Sequence, residues 1–382
     1  MKKLFNLYDS RLGWVALLGW ILLLPSQVLA EKNVFKVLDD VEIHGFASSS
    51  YSYNFNNPQS RTNTLRIFDV DDNSFKFDVG ELVFLKETPD TGDIGFRFDL
   101  TFGFRVPEVE QQGGSSAVLG PNGDDDFDVQ QGYVSWKAPI GNGLQLDVGK
   151  FITHIGAEVI EGYDGWNSNF SRSFLFGLAI PFVHTGIRAS YDINDQISVM
   201  AALVNGVAPG ETDNNDAKSL GLQLGYAPTD NIGILVNWIG GNETDNEKLL
   251  QIYDVVVNIG VTNELSLQFN LDYGLEENTS AKGDGSSSKW WGYAAIARYN
   301  VNKWFSMNVR GEYLNDSDGW ATGMISTNLW EFTLTPEFRI HDNFVLRVEY
   351  RHDESSSPVF EDEDGTGKDS QDTVAFNALV YF

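Results

Sequence analysis

The sequence predicts an all-β protein, a closed antiparallel up-and-down transmembrane β-barrel of about sixteen strands. Three observations carry this. Hydrophobicity alternates with a period of two in about sixteen separate runs. The connections between those runs alternate long and short along the whole chain. The chain is acidic, rich in aromatics and free of cysteine, and it starts with an export-type leader.

The leader comes first. Lys2, Lys3 and Arg11 give a basic start, and Leu12 to Leu24 is an apolar run too short for a spanning helix. Val28-Leu29-Ala30 ends in small residues suited to a signal peptidase, so residues 1–30 are expected to be a signal peptide and 31–382 the barrel. The 382-residue chain has a formal charge of −28. Removing three basic residues and one acidic one with the leader leaves −30 for the mature chain. That charge disfavours nucleic acid as a partner. Zero Cys in an exported chain excludes a disulfide framework. No later segment holds eighteen consecutive apolar residues, so any membrane crossing has to be by strands.

The clearest strand runs from Ile94 to Arg105, where each second residue is large and apolar and the others are Gly, Arg, Asp and Thr. Strand side chains alternate between faces, so one face is greasy and the other charged. A soluble sandwich and a membrane barrel both allow this. The full set of runs is 41–53, 74–86, 94–106, 127–138, 143–152, 182–192, 196–205, 218–228, 231–240, 248–260, 264–275, 289–300, 303–314, 328–340, 343–353 and 372–382. Most reach the roughly nine to eleven residues a tilted strand needs to cross a membrane.

The connections are short at 87–93, 139–142, 193–195, 229–230, 261–263, 301–302 and 341–342. They are long at 54–73, 107–126, 153–181, 206–217, 241–247, 276–288, 315–327 and 354–371. Short turns at one mouth and long loops at the other are the habit of outer-membrane barrels; a Greek-key sandwich has no reason to keep that rhythm. Several long loops carry acidic turn sequence, as in DVDDN at 69–73, GDDDFD at 123–128, TDNND at 212–216, ETDNE at 243–247 and EDEDGTGKD at 361–369. These read as exposed, mobile and solvated, with loose divalent bridging to lipopolysaccharide preferred over a specific Ca²⁺ site. Trp136, Trp238, Trp290, Trp291, Trp304 and Trp330 lie near strand ends, where an interfacial girdle would need them. The last run brings Val374, Phe376, Ala378, Val380 and Phe382 onto one face, as a strand that closes against the first would require.

No catalytic, cofactor or metal site is expected. His44, His154, His184, His341 and His352 show no ligand spacing, and no nucleophile or phosphate-loop motif is present. An enzyme is therefore not predicted. The polar strand faces place Arg97, Asp99, Arg105, Arg188, Gln268, Asp272, Arg310, Glu312, Arg347, Glu349 and Arg351 on a lumen wall. Sixteen strands enclose a water-filled channel. The longest loop, 153–181, sits third among the long connections and is expected to fold into the lumen. Its Glu158, Glu161, Asp164 and Arg172 are then the pore-constriction candidates. Three acids to one base, together with the net charge, imply a weak cation preference.

Within 131–191, GYVSWKAPIGNGLQLDVGKFITHIGAEVI followed by IPFVHTGIRASY resembles the OmpL-like β-barrel porin family. Tyr133, Val134, Gly149, Lys150, Phe151, Gly156, Glu158, Pro181, His184, Thr185, Gly186 and Tyr191 carry the resemblance. Gln131-Gly132 and His154 depart from the usual residues without disturbing the strands. The resemblance implies a porin in the bacterial outer membrane, transporting small hydrophilic solutes or ions by passive diffusion. Its expected partners are outer-membrane lipid and lipopolysaccharide, the permeating solutes and the barrel assembly machinery. Sixteen-stranded general porins are commonly trimeric, so by analogy a homotrimer is the assembly to test for, although the sequence itself does not fix the oligomeric state. The competing functions are a non-channel outer-membrane barrel, adhesin or hydrolase, and a soluble periplasmic β-protein.

Overall fold

Alternation of apolar and polar residues leaves each strand with one face for lipid and one for the interior, and only a closed sheet satisfies every edge N–H and C=O in a bilayer. The computed structural model describes residues 40–106, 127–207, 213, 215–243, 248–280, 282–283 and 285–382. It divides at Val41/Glu42, and Glu42–Phe382 is the barrel. The signal peptide expected over 1–30 lies outside the described residues, as do the loop 107–126, most of the acidic runs at 123–128 and 243–247, and residues 212 and 214 of the run at 212–216.

The strands are β1 (Glu42–Asn54), β2 (Ser74–Lys86), β3 (Ile94–Phe102), β4 (Phe127–Ala138), β5 (Leu144–Ile152), β6 (Val183–Asn194), β7 (Ile197–Val204), β8 (Ser219–Thr229) and β9 (Ile232–Asn242). They continue with β10 (Leu249–Gly260), β11 (Leu265–Glu276), β12 (Ser288–Asn300), β13 (Phe305–Asp316), β14 (Thr327–His341) and β15 (Phe344–Ser355). The two-residue β16 (Phe360–Glu361) and β17 (Gly367–Lys368) pair with each other, and β18 (Ser370–Tyr381) ends the chain. β1–β15 and β18 form one closed barrel of sixteen strands, each paired with its sequence neighbours around the ring. β18 closes on β1 in a register that runs from Phe46 opposite Tyr381 to Asn54 opposite Thr373.

Closure extends one residue past the ladder. Gly45 N–H donates to the Phe382 carbonyl at 3.1 Å, and Phe382 N–H returns the bond to Gly45 at 3.0 Å. The Phe382 ring lies across Gly45, where a Cβ would stand 2.4 Å from the ring. The outer surface is a band of exposed apolar side chains, among them Ile94, Phe98, Val134, Val148, Leu222, Phe269 and Phe376. That is the surface a lipid-facing barrel requires.

Four details differ from the sequence expectation. β3 stops at Phe102 instead of continuing to 106, because Gly103 adopts φ +118 and turns the chain. Arg105 N–H then bonds the Asp78 carbonyl at 2.8 Å, and its side chain is buried in the interior. Trp290 does not belong to an interfacial girdle. Consecutive strand residues face opposite ways, so Trp291 is exposed while Trp290 is fully buried, stacked 3.6 Å from Trp320. The acidic run at 69–73 is not simply solvated. Asp69 pairs with Arg66, and Asp72 pairs with Arg61 at 3.1 Å and accepts the Asn54 N–H at 2.7 Å, so both carboxylates are buried. Finally, the last long loop contains the β16–β17 ladder, with Phe360 buried while 363–369 remain exposed.

Removal of Phe382 deletes two backbone hydrogen bonds at the seam, roughly 2 kcal/mol. The truncated protein is expected to lose its compact, heat-modifiable band on SDS gels at a lower temperature than the full chain. Gly45→Val should move the same transition in the same direction by displacing the ring.

Candidate functional site

The thirty-residue excursion between β5 and β6 is pinned at its base and then crosses the space inside the barrel. Thr153 N–H donates to the Phe182 carbonyl at 2.8 Å, which closes the two limbs together. His184 Nε2 meets Thr153 Oγ1 at 3.0 Å and its Nδ1 meets the Gly206 carbonyl at 3.3 Å. His154 Nε2 reaches the Trp238 carbonyl at 3.2 Å. Beyond this base the segment touches both sides of the ring. Tyr163 N–H bonds Glu81 on β2 at 2.9 Å, and Asp164 accepts from Arg97 on β3 at 2.7 Å. The return limb bonds β13 and β15. A chain segment that contacts β2 and β3 and also β11 to β15 has to run through the enclosed space.

Two wall carboxylates receive the backbone of the return limb, and a third orients a wall arginine toward it. Phe170 and Ser171 N–H groups donate to Glu349 at 2.6 and 2.9 Å. Phe174 and Leu175 N–H groups donate to Glu312 at 2.5 and 3.1 Å, where the segment begins a single π-helical turn, Leu175–Ala179. Glu331 holds Arg310 at 2.8 Å. The arginines of the wall take the carbonyls and acids of the segment. Arg310 Nη1 donates to Glu158 at 2.9 Å and to the Ser171 carbonyl at 2.6 Å, and Arg351 donates to the Arg172 carbonyl. Arg347 Nη1 donates to Glu161 and to the Asn167 carbonyl, both at 2.8 Å. Ionised partners strengthen such bonds, and burial of these side chains strengthens them further.

Glu161 is the centre of this arrangement. Besides Arg347, it accepts from Arg105 Nη1 at 3.2 Å and lies 3.4 Å from Arg172 Nη2. Burial pushes its carboxyl up, but the guanidinium groups of Arg172, Arg347 and Arg105 outweigh burial and hold it well below the usual carboxylate range. Burial lowers Arg172 to about 10, against the opposing pull of Glu161.

All four constriction candidates therefore lie on this inner segment. Glu158, Glu161 and Arg172 are buried in ion pairs with the wall or with each other, and Asp164 alone keeps a side chain 47% exposed. The wall candidates Arg97, Asp99, Arg188, Arg310, Glu312, Arg347, Glu349 and Arg351 all stand on interior faces. Arg97 pairs with Asp99 at 2.9 Å and Arg188 with Asp147 at 2.8 Å. Gln268 bonds the Ala157 carbonyl at 3.3 Å and Asn258, while Asp272 lies buried opposite Asp254. Sequence reasoning missed a second inner segment. Arg66 and Phe68, from the first long loop, enter the interior: Arg66 Nη2 donates to Asp353 at 2.7 Å, and Phe68 packs 5.8 Å from Phe182. The apolar stretch Leu65-Arg66-Ile67-Phe68 inside an otherwise polar loop was the available signal.

The interior is not uniformly polar. Toward the long-loop mouth, Phe174, Leu175, Phe176, Ile180 and Phe182 pack with Phe68 and Phe360 on inward apolar residues of the wall, including Val204, Ile239, Ile252, Trp290, Leu314 and Leu329. Toward the short-turn mouth lies an open vestibule of about 870 Å³, lined by Gln196, Asn231, Asn258, Gln268 and Arg298, with Ser168 of the inner segment at its edge. Arg298 is held there by Glu337 at 2.6 Å.

The family model described as "Putative beta-barrel porin-2, OmpL-like" matches residues 40–382. No curated protein sequence matches the chain. Among solved structures, OprB of Pseudomonas putida is 12% identical with a TM-score of 0.62, covering 91% of this chain and 96% of its own. The outer membrane channel DcaP of Acinetobacter baumannii is 12% identical with a TM-score of 0.60, covering 90% and 97%. The trimer form of OmpT, an outer membrane protein of Vibrio cholerae, is 12% identical with a TM-score of 0.57, covering 90% and 99%.

Two outcomes follow from the geometry. Glu161→Gln leaves Arg105, Arg172 and Arg347 facing one another without their shared anion, a cost of about 3–5 kcal/mol for a broken buried pair. Trypsin is expected to cut after Arg172 in this variant and not in the parent, with the barrel band intact. His154 is lowered to about 4, chiefly by burial and further by Arg188, against the raising effect of its bond to Trp238. A histidine depressed in the folded state gives stability that is complete above about 6.5 and lost as pH falls toward 4. Hydrogen exchange at 153–157, corrected for intrinsic rates, should accelerate across that window and do so much less in His154→Asn.

Proposed function

The chain belongs to the OmpL-like β-barrel porin-2 family, and from that premise we propose that it is a passive diffusion channel for small hydrophilic solutes or ions. It is an outer-membrane barrel. The observation that carries the channel reading is the interior itself. A barrel built only to anchor or display needs no belt of inward charges bonded to an inner segment, nor a polar vestibule opening at the short-turn mouth.

In this reading Glu158, Glu161, Asp164 and Arg172 form the constriction. Asp164 meets the solute directly, and the other three hold the segment in place. The overall charge and the exposed Asp164 support a weak preference for cations. The signal peptide is removed after residue 30, the barrel assembly machinery inserts the strands, and lipid and lipopolysaccharide surround the apolar band. A homotrimer is the proposed assembly, supported by the trimer form of OmpT among its structural relatives. The apolar packing at the long-loop mouth favours one second reading, a barrel that is closed and does not conduct, as an adhesin or a hydrolase scaffold would be.

Recording from the purified, folded protein in planar bilayers decides between them. Discrete conductance steps are expected, with a reversal potential in a KCl gradient that has the cation sign. Asp164→Asn should shrink that potential without closing the channel. A folded protein that opens no channels would sink the channel reading, and an anion-signed potential would sink the preference.

A further inference from the structure

Arg105 carries a half-used guanidinium. Its Nη1 donates to Glu161, but Nε and Nη2 have no hydrogen-bond partner among the described residues, although both are buried. These two N–H groups share one edge of the guanidinium plane, the edge that meets both oxygens of a carboxylate at once. The nearest acid on that side is Asp78, 3.7 Å from Nη2, too far for a hydrogen bond. Asp78 is also engaged elsewhere, accepting the Ser48 and Ser50 hydroxyls at 2.9 and 2.6 Å.

The surroundings add to the demand for an anion. Arg172 Nη2 likewise has no hydrogen-bond acceptor among the described residues, and it converges on the same Glu161 that Arg105 and Arg347 already share. Three guanidinium groups thus bear on one carboxylate. Phe68 lies 5.5 Å from the Arg105 guanidinium and 4.9 Å from that of Arg172, and Phe170 lies 5.7 Å from Arg105. Aromatic rings beside the guanidinium groups and an Nε/Nη2 edge without a hydrogen-bond acceptor describe a subsite for a planar two-oxygen anion. Buried charged donors left open in a low-dielectric interior are costly, so an incoming carboxylate gains more here than in water.

We propose that the Nε/Nη2 edge of Arg105, backed by Arg172, binds the carboxylate of a solute inside the barrel. The binding itself stands on the geometry. Its place on a permeation route rests on the channel reading above. It is compatible with a weak cation preference, because the field of the whole chain governs small ions, whereas a fork recognises shape.

Titration calorimetry of the full folded protein in detergent tests this with sodium succinate, and with sodium phosphate and sodium chloride as separate arms. Saturable succinate binding is expected, at least tenfold tighter than chloride. Arg105→Lys keeps the charge and removes the fork, so it should weaken succinate binding at least tenfold with the heat-modifiable band retained. Arg105→Gln serves where the lysine variant fails to fold. Absence of saturable succinate binding by the folded parent, unchanged binding in either folded variant, or equal binding of chloride would overturn the proposal. Binding of phosphate without succinate would overturn the carboxylate assignment. Bilayer recording then separates the two readings. Succinate binding without channels leaves the subsite and removes the channel. Channels with no succinate binding in calorimetry leave the channel and remove the subsite.

Discussion

Charge turned inward from a closed wall has to be neutralised inside it, and most of this structure follows from that requirement. The interior faces carry Arg310, Arg347, Arg351, Glu312, Glu331 and Glu349, none of which reaches bulk water. Each is satisfied largely by the segment that runs through the barrel or by a neighbour on the wall. Glu312 and Glu349 bind backbone N–H groups, and Arg310 and Arg347 bind carbonyls and the acids Glu158 and Glu161. The dependence is mutual. Without the segment the wall charges are unpaired, and without the wall the segment has thirty residues of backbone and no ladder.

The same requirement explains why the two mouths differ. Where the inner segment offers amides and carboxylates, the wall is charged. Where it offers Phe174, Leu175, Phe176 and Phe182, the wall turns to Val204, Ile239, Ile252, Leu314 and Leu329. Amides line much of the short-turn vestibule beside Arg298, Asp195 and Asp230, and the segment meets it at Ser168 and through the Ala157 carbonyl on Gln268. Polarity along the interior thus follows the chemistry of whatever the wall faces at each height, while the outer band stays largely apolar.

The barrel was legible in the sequence because strand periodicity is local. A run such as Ile94–Phe102 reveals its two faces without reference to any other part of the chain, and turn length is equally local. The interior was legible only in part. Alternation identified Arg310, Glu312 and Arg347 as inward, but their partners lie far off in sequence and no local pattern names them. Trp290 and Trp291 show the limit of reading by residue type: adjacency on a strand forces one inward, whatever an interface would favour. Gly103 shows another, since a single positive φ ended an alternation that Phe104 would have continued. Arg66 and Phe68 lie in a loop that is mostly polar, and no periodicity marks a short inward turn of such a loop.

The ion pairs of the interior also order events in time. Glu158 and Arg310 are 152 residues apart, Glu161 and Arg347 are 186, and Arg66 and Asp353 are 287. Contacts of such separation form late, since the intervening chain has to be in place first. The inner segment is made early, between β5 and β6, yet its anchors on β13 and β15 arrive near the end of the chain. The segment therefore gains its full seat only when β2, β3, β13 and β15 stand around it together. A barrel stalled before that point would be a wider hole than the finished protein, so completing the seam between β18 and β1 also completes the membrane's barrier at this site.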